Sequence, residues 1–392
     1  MQLTFDDDVE GFRAEFIAFL DANLPPEADA ASEASRSTAH VPQWARRWQR
    51  VQFEHGWLLP GNAPEFGGRD AGVLEQFVHR EELARRRIYH CFNPQGVGII
   101  AASLLAFGTD EQKQRWAVPI LRGELTASLG MSEPGAGSDL AGLSTRAARD
   151  GDEFVVNGQK VWTSGAHDAD VLLTFVRTDP DAARHKGISA LLIPTRTPGV
   201  ERRPFASVHD PRNFDFNEVF FTDVRVPATN LVGPMNEGWK VANGSLSHER
   251  TMMWMSFADR MGQTLETYRP AGELNRDAYA TIAMDLYALR LLGSAALGQA
   301  ARGERDVPAV SVLKVLGSEA EQNAYRHVLE ASGADALLGD APSSPYNPFA
   351  PEQYTASWFT RYLGSFAGTI AGGTSEIQRN IIAQRILGLP AR

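Results

Sequence analysis

The sequence predicts an α+β protein in which a block of helices, a block of strands and a second block of helices follow one another. Three observations predict it. Apolar residues recur at helical spacing through the first third of the chain, short β-branched and aromatic runs crowd the middle, and helical spacing returns after Gly233-Pro234. A doubly wound sheet would alternate strand with helix instead. The changes of period divide the chain into expected domains at 1–124, 125–232 and 233–392.

In the first block, Val9, Phe12, Phe16, Ile17 and Leu20 share a helical face, and similar stripes run from Trp44 to Phe53 and from Leu74 to Leu83. Thr109 stands three residues before Gln112 and ahead of Trp116, Ile120 and Leu121, the pattern of a capping box, so a helix should open there and end near Gly123. In the middle block, Glu153 to Val156 and Lys160 to Thr163 flank Asn157-Gly158. That dipeptide predicts a two-residue hairpin turn, because asparagine and glycine tolerate the positive φ angles such turns need. Val171 to Val176, Ile188 to Ile193 and Val219 to Phe221 are expected as further strands. The last block predicts helices over Trp239 to Arg260, Ala278 to Ala301, Val310 to Leu329 and Ile377 to Leu387, with an exposed Pro- and Ser-rich loop from Gly339 to Pro351.

Composition narrows the function. The 392 residues carry 38 Lys and Arg against 48 Asp and Glu, and a net charge of −10 disfavours a broad nucleic-acid surface or an anionic membrane. A phosphate-bearing ligand would need a local basic pocket. Cys91 is the single cysteine, which rules out an internal disulfide or a thiolate metal cluster and suits a reducing compartment, so a cytoplasmic protein is expected. The acidic start, Met1 to Asp8, lacks the features of a signal peptide, and no apolar run approaches the ~20 residues of a membrane span, so membrane insertion is not expected. G-x-x-x-x-G-K-[ST], H-E-x-x-H and G-x-S-x-G are absent, and the nine histidines form no ligand-spaced pair. Metal and serine-hydrolase chemistry are therefore not expected.

Four segments could carry chemistry. Met131 to Asp139 packs two glycines and a proline ahead of the strands: either a surface turn, or a loop whose backbone N–H groups approach a ligand while Ser132 and Ser138 add hydroxyls. It is not a dinucleotide fingerprint, because the third glycine of G-x-G-x-x-G would fall on Leu140. Trp162, before Thr163-Ser164-Gly165, is either a core residue or a ring for a flat ligand to stack on. Glu249-Arg250 lies within a predicted helix whose stripe is Leu246, Met253 and Phe257; the pair is either solvated or lines a pocket, where burial would raise the carboxyl towards a general base. Finally, Gly372-Gly373 leads into a helix with Ser375 and Gln378 in capping-box relation, placing a helix N-terminus where an anionic or carbonyl-rich ligand could sit.

Together these segments resemble the acyl-CoA dehydrogenase family, in order, from Gly56-Trp57 to Pro390. One family signature is similar to Met131 to Gly142 followed by Asn157 to Ser164, and a second to Gly372 to Ile381. The resemblance implies a helical N-terminal domain, a β-barrel-like middle domain, a C-terminal four-helix bundle, and FAD as cofactor. It implies that Leu129, Met131, Ser132, Gly137, Ser138, Trp162, Thr163, Ser164, Thr374 and Glu376 form the FAD site, with Trp162 and Ser164 beside the ring system and Thr374 and Glu376 along the ribityl-phosphate region. Ser138, Arg250 and Gly372 would contact an acyl-CoA substrate. Many family members carry a glutamate base before the Gly-Thr of the second signature, where this chain has Gly372; another branch places the base in a Glu-Arg pair that matches Glu249-Arg250. The implied reaction is removal of the α-proton by Glu249 and hydride transfer from the β-carbon to flavin N5, with the enolate oxygen held by backbone N–H near Gly372 and the flavin's ribityl hydroxyl.

Two family elements that grip the ADP half of FAD across a subunit boundary have no counterpart in Tyr268 to Glu273 or in Gly333 to Gly339. This pattern resembles actinobacterial members linked to sterol or bulky acyl degradation, some of them heteromeric. The resemblance implies an oligomer, dimer or tetramer, with electron-transfer flavoprotein as acceptor. The rival expectations are a subunit inactive without its partner and an oxygen-using flavoenzyme on the same fold.

Overall fold

A computed structural model describes residues 5–208, 214–268, 273–304, 309–338, 344, 346 and 357–390, with the side chains of 243, 245–251 and 273–275 left undescribed. The first block is helical: α1 (Asp7–Asn23), α2 (Glu27–Ala30), α3 (Gln43–Glu54), α4 (Val73–Arg85), α5 (Ala102–Phe107), α6 (Asp110–Gln112) and α7 (Val118–Leu121). Asp7, Asp8 and Glu10 in the first turn of α1 complement its dipole, and Phe16, Phe19 and Leu20 bury against Trp44, Trp48 and Trp57. The Thr109 capping box is formed as expected: Gln112 N–H donates to Thr109 Oγ1 at 3.2 Å and Thr109 N–H to Gln112 Oε1 at 3.1 Å. A π-wound turn, Gln95–Ala101, runs into α5 and was not anticipated, because its Gly-rich apolar sequence has no helical stripe.

The middle block is one eight-stranded sheet made of β1 (Ala127–Gly130), β2 (Arg146–Asp150), β3 (Glu153–Lys160), β4 (Val171–Arg177), β5 (Ile188–Pro194), β6 (Val200–Phe205), β7 (Phe216–Pro227) and β8 (Leu231–Val232). Its order is β6-β7-β3-β2-β4-β5-β8, with β1 parallel to β4. β4 is apolar on both faces because both are covered: Leu173 and Phe175 join the core shared with the N-terminal helices, while Leu172 and Val176 join a core within the strand block.

Asn157-Gly158 is not the hairpin turn. β3 runs straight through it, and the β2–β3 turn is Gly151-Asp152, where Gly151 has φ +62°. Asn157-Gly158 instead lies opposite a bulge in β7, where Thr222 and Asp223 together face Asn157 and the register shifts between Val156 and Gly158. The cause is tertiary. Gly158, at φ +146°, lies so close to Thr145 that a Cβ would come within 2.7 Å of its Cα, and Asn157 exchanges hydrogen bonds with Asp223 (2.9 and 3.1 Å).

The last block consists of α8 (Gly238–Thr267), α9 (Glu273–Ala301), α10 (Ala309–Ser332), α11 (Trp358–Ile370) and the short α12 (Ser375–Ile381), which continues as a π-wound turn, Ile382–Ile386. The four long helices form a bundle around Trp254, Phe257, Met261, Leu286, Leu289, Leu313 and Val328. Gly293 lets α9 approach α8, since a Cβ there would come within 2.3 Å of the Trp254 ring. By length and composition, Arg276–Ala301 is apolar enough to cross a membrane, contrary to the sequence reading; here Ile282, Leu286 and Leu289 are buried in the bundle. Most of the expected 339–351 loop lies outside the described residues. Tyr346 within it is buried, its hydroxyl donating to Pro25 O at 2.8 Å.

Candidate active site

β1 delivers the first residues of the site. Leu129 N–H donates to Gln95 Oε1 at 3.0 Å, which fixes the strand to the start of the π-wound turn, and Leu129 and Met131 lie half-buried against the helical core. The chain then passes Ser132, whose carbonyl accepts from Val161 N–H at 2.9 Å, and turns Glu133 inward. Glu133 accepts from Ser144 N–H (2.6 Å), Ser144 Oγ (2.8 Å), Thr145 N–H (2.9 Å) and Lys160 Nζ (2.8 Å), and Lys160 Nζ also donates to Met131 O at 3.0 Å. Burial alone would raise the Glu133 carboxyl, but Lys160 and these donors bring it down to about 2; burial draws the Lys160 ammonium down to about 8. Both are charged at neutral pH.

Beyond Glu133 the loop is open. Gly137 and Ser138 are exposed, and a Cβ added at Gly135 or Gly137 would meet nothing within 4 Å. No internal packing requires glycine there, which leaves the backbone free for close approach by a ligand.

At the end of β3, Trp162 is no core residue: it is 58% exposed and left-handed at φ +62°. Such a conformation costs about 1–3 kcal/mol in a non-glycine residue and persists only where its surroundings impose it. Phe205 and Phe216 hold the indole edge-on at 5.1 and 5.5 Å, and Asn217 locks the next residue, donating to Thr163 O at 3.0 Å and accepting from Thr163 N–H through its own carbonyl at 3.2 Å. Thr163 is fully buried, yet its Oγ1 has no partner among the described residues. Ser164 O accepts from Ser128 Oγ at 2.7 Å. Residues 128–132 and 161–164 thus lie side by side.

The second motif comes from the bundle. Gly372 and Gly373 (φ +67° and +94°) turn the chain into α12, which is capped by Thr374, whose Oγ1 accepts from Ile377 N–H at 3.2 Å. The expected Ser375–Gln378 box is not made. The cap sits one residue earlier, Gln378 Nε2 donates to Gly372 O at 3.2 Å, and Ser375 Oγ is buried without a partner among the described residues. Glu376 is exposed, its carboxyl lowered by its own backbone N–H and the Thr374 hydroxyl. Among the described residues no hydrogen bond or ion pair joins 372–376 to 129–164.

Glu249 and Arg250 lie on α8, with side chains outside the described residues. Before them, Gly244 packs against Phe107 of α5, a would-be Cβ meeting the ring at 2.6 Å; after them, half-buried Met253 enters the bundle. A cavity of about 630 Å³ lies between α4, α8 and α9, and its α8 wall, Met252, Met255, Asp259 and Gln263, begins within one turn of Glu249. Phe77 and Trp254 line it together with Arg87 and Arg290, and burial pushes the Asp259 carboxyl up.

These residues fit a flat, phosphate-bearing cofactor: an unpartnered buried hydroxyl at Thr163, a ring held out at Trp162, and open backbone at Gly135 and Gly137. The sequence reading passed over Gln95, Glu133, Lys160 and Asn217. For Lys160 a signal existed, since Phe154, Val156, Gly158 and Lys160 alternate onto one face of β3, and a lysine on the buried face of a strand requires a partner.

Comparison with known proteins agrees with this fold. Family models described as the N-terminal, middle and C-terminal domains of acyl-CoA dehydrogenase match residues 6–124, 128–224 and 236–387. The chain is 36% identical to acyl-CoA dehydrogenase IpdE1 of Mycobacterium tuberculosis, over 98% of each chain. Among solved structures it is similar to the Tcur3481-Tcur3483 steroid ACAD, with 29% identity, full coverage of both chains and a TM-score of 0.80. It is likewise similar to the ChsE4-ChsE5 complex from Mycobacterium tuberculosis, at 30% identity, full coverage and a TM-score of 0.78.

Proposed function

Because the chain belongs to the acyl-CoA dehydrogenase family, FAD-dependent oxidoreductases acting on acyl-CoA thioesters, we propose that Glu249 is the base that takes the α-proton of its substrate. The observation that carries this is the backbone of Gly372, where many relatives hold the base. It is left-handed at φ +67°, a conformation that disfavours any side chain, so that turn offers an N–H rather than a carboxylate. With no carboxylate at Gly372, this reading assigns the base to Glu249, carried by α8 in a Glu-Arg pair that matches the family's other branch.

In this reading Leu129, Met131, Ser132, Gly137 and Ser138 seat FAD on the glycine-rich loop, Trp162, Thr163 and Ser164 flank its ring system, and Thr374 and Glu376 face its ribityl-phosphate portion. FAD, when bound there, would supply the two-electron acceptor for a hydride leaving the β-carbon, giving the trans-2-enoyl-CoA. Ser138 and Arg250 position the thioester, and backbone N–H at Gly372 stabilises the enolate oxygen. The functional domains are 1–124, 125–232 and 233–392. We take the acyl group to be bulky, because one structural relative is a steroid enzyme. We place the enzyme in the cytoplasm, as an oligomer that passes electrons to electron-transfer flavoprotein.

The test is anaerobic bleaching of bound FAD by a panel of short, long and steroid-side-chain acyl-CoAs. Bleaching by the bulky thioesters is expected, and Glu249→Gln should slow it by ~10²-fold or more while FAD stays bound. A variant that bleaches at the wild-type rate would remove Glu249 from the role. A second reading, a subunit that needs a different partner chain, is favoured by the missing counterparts of the ADP-gripping elements and by the two-protein complexes among its relatives. It predicts a chain that holds no FAD when purified alone.

A further inference from the structure

The Glu133–Lys160 pair belongs to no family motif role described above, and the proposed chemistry does not use it. Lys160 is fully buried at the end of β3, and its ammonium bridges two points of one loop, Met131 O at 3.0 Å and Glu133 Oε1 at 2.8 Å. Glu133 in turn gathers both amides and the hydroxyl of Ser144-Thr145, tying the same loop to the start of β2. Its backbone also closes the turn, exchanging hydrogen bonds with Ala136 at 2.9 and 3.0 Å. The other side-chain tie, Arg184 to Asp139, is exposed at both ends and correspondingly weak.

A buried ion pair is a poor source of stability, because desolvating two charges offsets most of their attraction, and apolar residues would fill the space as well. What apolar residues could not do is fix the Met131 carbonyl and the Ser144 and Thr145 amides at once, joining the loop, the start of β2 and the end of β3. The loop fixed in this way carries Met131, Ser132, Gly137 and Ser138, and Ser132 O holds Val161 N–H directly before Trp162.

We propose that Glu133 and Lys160 are a positioning pair that preorganises the cofactor loop, holding Met131 to Ser138 in binding shape before FAD arrives. The inference rests on the assignment of that loop to the cofactor. Its physical content is that the loop is ordered by folding rather than by binding, so the ordering entropy is not subtracted from FAD affinity.

Lys160→Met alone would strand the Glu133 charge, so the informative variant is the full-length double replacement Glu133→Gln/Lys160→Met, which leaves no unpaired charge. Without FAD it should melt within a few degrees of the wild type, while its dissociation constant for FAD, from flavin-fluorescence titration, rises about tenfold or more. A folded double variant with wild-type FAD affinity overturns the inference, because a merely structural pair would change melting and not affinity. Hydrogen exchange on the wild-type apoprotein needs no variant: slow amides at Ser144, Thr145 and Val161 support preorganisation, and amides protected only after FAD is added overturn it. A wild type that takes up no FAD alone is the outcome of the partner-dependent reading and not a failure of the pair; exchange on the apoprotein then decides, slow amides at Ser144, Thr145 and Val161 supporting the inference and fast ones overturning it.

Discussion

At Thr163 a single oxygen separates a structural role from a ligand-binding one. Its hydroxyl is buried and unpartnered among the described residues, which costs about 1–3 kcal/mol of desolvation unless something arrives to bond it. Thr163→Val should therefore leave the apoprotein as stable or more stable in thermal melts, while weakening FAD binding up to about tenfold. Unchanged affinity would remove Thr163 from the site. Glu133 makes the opposite case, a polar group fully satisfied from within. Its carboxyl lies near 2 when folded against an ordinary 4.5, so between these values the unfolded chain binds more protons. The stability it contributes is complete above 4.5 and is lost as pH falls towards 2. Denaturant titrations over that range should show the advantage of wild type over Glu133→Gln shrinking with acid; a difference constant with pH would contradict the buried pair.

At the scale of elements, short polar motifs were placed correctly and given the wrong local geometry. Asn157-Gly158 reads as a turn and is strand opposite a bulge in β7, since β7 continues alongside β3 and supplies pairing that a hairpin turn would end. Gly158→Val should cost about 1–3 kcal/mol in chemical denaturation, because the new side chain meets the Thr145 backbone and the left-handed φ disfavours it. A variant of wild-type stability would show that the bulge relaxes freely. The α12 cap moved from Ser375 to Thr374 for a similar reason: the left-handed Gly372-Gly373 turn sets where the helix can begin, and Gln378 is drawn back to Gly372 O. The Thr109 box needed no such correction, because its bonds close within four residues.

Across the whole molecule, α9 turns Met284, Tyr287 and Leu291 outwards, each more than half exposed, at spacings of three and four. If the chain assembles through this face, light scattering should report a multiple of the chain mass. Met284→Glu/Leu291→Glu should then weaken association at least tenfold, since each buried apolar side chain is worth about 1.5–3 kcal/mol. Assembly unaffected by the pair of charges would place the interface elsewhere.

The order of helical, strand and helical blocks, α8, α9 and α10 of the bundle, though not α11, and the glycine-rich segments of the site were legible in the chain, because periodicity and glycine content are local properties that need no partner to be read. The exposure of Trp162, the orphaned hydroxyl of Thr163 and the Glu133–Lys160 tether were decided only by tertiary structure. Each depends on which distant segment lies alongside: Phe205 and Phe216 for the indole, Asn217 for the Thr163 backbone, Ser144-Thr145 for the carboxylate. A residue's burial and hydrogen-bond partners are set by neighbours far away in sequence, and local sequence patterns do not contain them.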